Sequence, residues 1–147
     1  MIRSLFLILA ALTLSAQSGL GASSASAPAS AFRTLARIDT FAFGGIGVAG
    51  TISPGEIAFR EILAGPHAVG DFQSLLKKGG PPAQCYALVA LHVLEPDAFK
   101  DAAAPFKTAA APVKTIAGCS ISTLPMRSIV ANISKGNYDI YLTSPHP

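Results

Sequence analysis

Residues 81–94 read Pro-Pro-Ala-Gln-Cys-Tyr-Ala-Leu-Val-Ala-Leu-His-Val-Leu, and a helix built from them has almost no polar face. Such a helix has to be surrounded on all sides. Pro81 and Pro82 suit its first turn, where a missing N–H is no loss, and Pro96 stops it or opens the next helix. The rest of the chain must therefore wrap around one central helix.

The flanking sequence offers the partners. Ser53-Pro54-Gly55-Glu56 places a serine N-cap, a proline at the first helical position and a glutamate that completes a capping box. The helix over 54–63 then presents Ile57, Ala58 and Ile62, flanked by Phe59 and Leu63, and stops at Gly65-Pro66. A second helix over 67–78 has Val69, Phe72, Leu75 and Leu76 on one side. Lys77 and Lys78 face the negative end of its dipole, and Gly79-Gly80 closes it. A fourth helix is expected from Pro96 to Pro105, and a last one over 124–136, with Thr123 as N-cap and Pro125 in its first turn.

The remaining stretches are less periodic. Residues 38–43 read as extended, and Val113–Ile116 has the composition of a short strand in a segment punctuated by Pro112 and Gly118. The tail from Asn137 reads as one extended segment packing Tyr138, Ile140 and Leu142. Short helices joined by tight Pro/Gly turns favour antiparallel pairs. The expected fold is mainly α: a small bundle of short antiparallel helices, one disulfide, and one or two extended segments. From Ser53 to Leu94, ending in Gln84-Cys85-Tyr86-Ala87-Leu88-Val89-Ala90-Leu91-His92-Val93-Leu94, the pattern weakly resembles a HEAT-like helical hairpin. No repeat period recurs, and a solenoid needs about three units. The resemblance implies helical packing and carries no function.

The N-terminus reads as a secretory signal peptide. Arg3 precedes an uncharged apolar run from Leu5 to Leu14, followed by small residues with possible cuts after Ser18, Gly21, Ser23 or Ala25. That run is about half the ~20 residues a membrane span requires, so no retained anchor is expected. The expected organisation is a signal peptide over 1–25, a flexible lead over 26–37, and one helical domain over 38–147. Loss of Arg3 leaves ten Lys/Arg against eight Asp/Glu, from eleven and eight in the full chain. Lys77-Lys78 is the only adjacent basic pair, and a nucleic-acid interface would need a clustered basic stripe.

Gly45-Ile46-Gly47-Val48-Ala49-Gly50 spells G-x-G-x-x-G, the dinucleotide fingerprint. That motif works only where a helix opens within it and aims its N-terminus at a pyrophosphate. Here the helix starts beyond the last glycine, at Ser53-Pro54. Asp71 lies at the distance of the ribose-binding acid but falls inside a helix. The glycines are expected instead to supply positive φ in a hinge, or close backbone approach to the helix over 81–94. No cofactor is expected.

Cys85 and Cys119 are the two cysteines. In an exported chain an even count favours a disulfide. Closing the loop of 33 intervening residues would stabilise the fold by ~3–4 kcal/mol. His92 stands two helical turns from Cys85, ~10 Å along the axis, too far for a nucleophile–base pair. His92 and Glu95 offer two metal ligands where three or four are needed, with His67 and His146 in other segments. Glu56 and Glu61 diverge around their helix, and Asn132-Ile133-Ser134 is a glycosylation sequon within an expected helix. The sequence also lacks the nucleophile-elbow, zincin and phosphate-loop motifs. The expected function is an exported, non-catalytic binding protein whose partner is another protein, such as a secreted enzyme that it inhibits or confers immunity to. The second reading is a small hydrolase or transferase using His92 with Glu95 or Asp97.

Overall fold

In the computed structural model, which describes residues 26–143, the chain runs α1 (Ser26–Ala36), β1 (Thr40–Phe41), β2 (Gly45–Ile46), β3 (Thr51–Ile52), α2 (Pro54–Leu63), α3 (Ala68–Lys78) and α4 (Pro81–Leu94). It continues through α5 (Pro96–Ala103), a 3-10 turn at Ala104–Phe106, β4 (Pro112–Ala117), β5 (Ser120–Pro125), α6 (Met126–Ser134) and α7 (Ile140–Thr143). The expected signal peptide over 1–25 and the last four residues, 144–147, lie outside the described part. Among the described residues no helix is long and apolar enough to cross a membrane.

The apolar helix takes the central place its composition demands. Residues 85–91 of α4 are all buried, and α3, α5 and α6 pack against it. Gln84, near its start, donates to the Leu76 carbonyl at 3.1 Å and ties α4 to the end of α3. The lead expected to be flexible is α1. Ala31 and Leu35, four residues apart, bury one face of it, and the helix packs along α2.

The start of α2 has the expected cap: Ser53 Oγ accepts the Glu56 N–H at 3.0 Å. Its inward face, however, is rotated from the expected one. Ile57 is 48% exposed, whereas Gly55 and Glu56 are buried beside Ala58, Phe59 and Ile62. A wholly buried carboxylate must be paired and hydrogen-bonded. Glu56 accepts from the Gly44 N–H at 2.7 Å and from Arg60 at 2.7 and 3.0 Å, and Arg60 also donates to the Tyr141 carbonyl. Beside it, the Tyr86 hydroxyl donates to the Ala42 carbonyl at 2.7 Å and accepts the Ala42 N–H at 3.0 Å. Ser53 Oγ donates to the same carbonyl at 3.0 Å. Gly55 makes this approach possible, because a Cβ there would lie 2.6 Å from the Tyr86 oxygen.

The expectation of a mainly α bundle is overturned by two small sheets. β1 runs parallel to β4, with Thr40 opposite Lys114 and Phe41 opposite Thr115. β4 and β5 form an antiparallel hairpin from Pro112↔Pro125 to Ala117↔Ser120, so the order is β1-β4-β5. Thr123, expected to cap the last helix, is inside β5, and α6 begins at Met126. The physical reason lies at Gly118-Cys119. A two-residue loop with glycine first, at φ +55°, is the turn whose twist suits a hairpin. It lets Val113 bury against the core while the backbone bonds are satisfied by the partner strand. The tail, expected to be extended, turns instead into α7.

The expected disulfide is also overturned: Cys85 and Cys119 are both free. Cys85 is buried within α4, and Cys119 is exposed in the hairpin loop. The segment around Cys119 is held by the β4–β5 ladder instead. Burial pushes the Cys85 thiol up to about 12, which leaves it protonated and unreactive at ordinary pH.

Candidate functional site

In a hairpin closed by a two-residue loop, the residues flanking the loop exchange both backbone bonds, and bonded pairs recur every second residue. Ala117–Ser120, Thr115–Ser122 and Val113–Leu124 are then the bonded pairs. The N–H and C=O groups of Ile121 and Thr123 point away from β4. No described strand lies on that side of β5. Pro125, at the far end, has no N–H to offer.

The two faces of the sheet differ. Strand alternation puts Val113, Thr115 and Ala117 on the face of Phe41, with Leu124, Ser122 and Ser120 opposite them. Burial falls across that face. Phe41 and Val113 are buried and Thr115 is half-buried, while Ser122 and Leu124 are exposed. Above it lies a cleft of about 210 Å³ walled by Phe41, Phe43, Tyr138 and Tyr141, with Thr115, Ser122 and Leu124 along the sheet side. Phe43 stacks on Tyr141 with centroids 5.4 Å apart, and Phe41 meets Tyr138 edge-on at 5.2 Å. Burial pushes the Tyr138 hydroxyl up to about 12, so it remains neutral. The opposite face carries Lys114, Ile116, Ile121 and Thr123, with Ile121 68% exposed.

The glycine motif stands at the loop end of this sheet. Gly45 pairs with Ile52 and Ile46 with Thr51, forming a hairpin whose tip residue, Val48, is fully exposed. Gly47 and Gly50 have φ of +69° and +62°, the conformation expected of them. Gly45 approaches the backbone of Gly50 rather than α4; a Cβ on it would meet that backbone at 3.0 Å. The Gly47 N–H donates to the Gly118 carbonyl at 2.9 Å, so the motif braces the β4–β5 turn. The helix that follows opens at Pro54, past the motif, and Asp71 lies in α3.

The histidine expected to work with Glu95 or Asp97 is placed elsewhere. His92 Nδ1 is 3.1 Å from Asp139 Oδ1, and its ring meets Phe99 edge-on. Glu95 caps the end of α4, exposed, and Asp97 pairs with Lys100 at 3.0 Å. Among the described residues the hydrogen-bond partner of His92 is Asp139, with no serine, threonine or cysteine joined to it. Nor do three His, Cys, Asp or Glu side chains gather closely enough to hold a metal. His67 and Glu61 are exposed, apart from this pair in the chain, and His146 is outside the described part. Asn132 lies within α6. A larger concavity of about 520 Å³ between α1 and α3 has Arg33, Asp71 and Lys78 at its rim, none of them buried.

The sequence pattern does not announce the sheet edge or the aromatic cleft, although Gly118-Cys119 between Val113–Ile116 and Ile121–Thr123 is a hairpin signal. No protein-family model, curated protein or solved structure matches this chain. The candidate site therefore rests on its own geometry: an open strand edge, a neutral aromatic cleft along one face, and one lysine on the other.

Proposed function

We propose that this chain is an exported, non-catalytic binding protein that takes another protein's extended segment onto β5. The observation that carries this reading is the exposure of β5: five of its six residues, all but Pro125, are exposed. A strand edge of this kind is a template for main-chain pairing. Native proteins blunt unwanted edges with charge or proline, yet β5 has no charged residue and its proline stands at the last position. Export rests on the N-terminal pattern of Arg3 and Leu5–Leu14, and an inhibitor or immunity-type partner of a secreted enzyme is the role that suits both features.

The test uses the chain as its host produces it. Partners captured from the exported proteins are identified, purified and rebound to wild type and to Thr123→Pro. Because the Thr123 N–H faces outward, this change removes no bond to β4, and an unchanged thermal midpoint checks the fold. The expected result is a partner whose binding weakens by about tenfold or more with Thr123→Pro. A partner bound equally well by both proteins would overturn the assignment to β5.

A further inference from the structure

We infer that the occupant of β5 is an extended peptide segment that alternates apolar and acidic residues, with its apolar side toward the aromatic cleft and its acidic side toward Lys114. This rests on the reading of β5 as the docking edge, and it specifies the chemistry of what docks there. A strand added beyond β5 repeats the alternation of the sheet. Its residues on one face continue the row of Ser122 and Leu124, and those on the other continue the row of Ile121 and Thr123.

The two rows meet different chemistry. On the cleft side, burial deepens from exposed Ser122 and Leu124 toward Phe41, so the 210 Å³ space opens across β5. Its walls are aromatic rings and neutral hydroxyls, which suit an apolar side chain reaching inward from the new strand. On the other side stands Lys114, the one charged residue in β1, β4 and β5. It is the register partner of Thr123, is exposed, and has no carboxylate within ion-pair distance among the described residues. Neighbouring strands are about 4.8 Å apart, so the added strand runs about 10 Å from β4. A lysine and a glutamate side chain together bridge that gap.

A second copy of this chain is the competing occupant, and the same charges disfavour it. Antiparallel pairing of β5 with itself about Ser122 would set two copies of Lys114 on one face. It would also rest on the outward groups of Ile121 and Thr123 alone, a short ladder beside the 1,200–2,000 Å² typical of stable interfaces. An acidic strand from another molecule has the same two residues to pair with, but it brings charge opposite to that of Lys114 and an apolar side chain for the cleft.

The probe is the blocked hexapeptide acetyl-Phe-Glu-Val-Glu-Val-Thr-amide, compared with its counterpart carrying lysine at both glutamates. Binding is followed by calorimetry and by amide exchange at Ile121 and Thr123. The expected result is saturable binding that slows exchange at those two amides and is about tenfold weaker for the lysine peptide. Lys114→Glu should reverse the preference while leaving the thermal midpoint within a few degrees. Binding without a charge preference, or no protection at Ile121 and Thr123, would overturn the inference. So would protection that grows with protein concentration alone and a doubled mass, which would assign the edge to a second copy. A host partner sensitive to Thr123→Pro with no peptide charge preference sinks this chemistry alone. Peptide binding with no β5-dependent host partner sinks the proposed function instead.

Discussion

α4 and β5 are opposite solutions to the same problem. In α4, seven consecutive residues are buried, and even Tyr86 and Gln84 spend their polar atoms on neighbouring backbone. In β5, five of six residues face water, and among the described residues no strand pairs with the outward backbone groups of two of them. The first is closed by its own chain. The second is ordered along one edge only, by β4. A domain this small has limited apolar surface to bury, and it concentrates that surface around α4. The strand β5 supplies backbone bonds to β4 but adds few side chains to that core. The contrast implies that changes around α4 should unfold the protein, while changes in β5 should leave it folded.

The largest effect is expected at Glu56. Glu56→Ala removes the acceptor for Gly44 and leaves the partly buried Arg60 guanidinium without its carboxylate, held by the Tyr141 carbonyl. Breaking such a pair from one side costs about 3–5 kcal/mol, a large share of the 5–15 kcal/mol typical of a domain. Urea unfolding measures it, and a loss below about 1 kcal/mol would mean that the pair is not the anchor described.

Gly55→Ala comes next. Its new Cβ would meet the Tyr86 hydroxyl at 2.6 Å and push the ring off Ala42. Overpacking of this kind costs about 1–3 kcal/mol. The same urea experiment should show it, with a matching loss for Tyr86→Phe, which leaves the buried Ala42 N–H without its hydroxyl acceptor.

A third expectation concerns alkaline pH. Burial raises Cys85 from 9.0 and Tyr138 from 10.0, both to about 12. Each folded value lies above the unfolded one, so the stability these groups contribute is whole below about pH 9. It is lost as pH rises from about 9 to 12, where the unfolded chain releases protons that the folded one retains. The thermal midpoint should fall across that window, and less steeply in Cys85→Ala and Tyr138→Phe. A midpoint flat from pH 9 to 11 would place both groups in water.

How much of this was legible beforehand divides along the same line. The helical core could be read because its signals are local. Ser53-Pro54, Gly79-Gly80 and the all-apolar run of α4 each announce their structure within a few residues. The burial of Glu56 could not be read, since Gly44, which donates to it, is 12 positions away, and the Tyr141 carbonyl that fixes its partner Arg60 is 81 positions from that arginine. The end of β5 reads as a helix start because Thr123 and Pro125 resemble an N-cap and a first-turn proline; only pairing with β4, a tertiary fact, decides otherwise. The cysteines misled because parity says nothing about distance. Cys85 is committed to the core and Cys119 to a loop tip. The aromatic cleft joins Phe41, Phe43, Tyr138 and Tyr141 from the two ends of the domain, and no periodicity links them.

The smallest effect is expected in β5 itself. Ile121→Thr and Thr123→Ala should each change stability by no more than about 0.5 kcal/mol, as surface substitutions do. A loss above 2 kcal/mol for either would show that this strand is packed in the free protein.

The account turns on β5 having one bonded and one open edge, and amide exchange of the isolated protein, resolved residue by residue, reads that directly. The alternation of the hairpin predicts slow exchange at Ser120, Ser122 and Leu124, whose N–H groups are bonded to β4. Ile121 and Thr123, between them, should exchange faster by about a hundredfold, close to unprotected amides. Uniform protection from Ser120 to Leu124 in a protein shown to be monomeric would mean that the edge is already covered, and would contradict the claim that it is open for a partner.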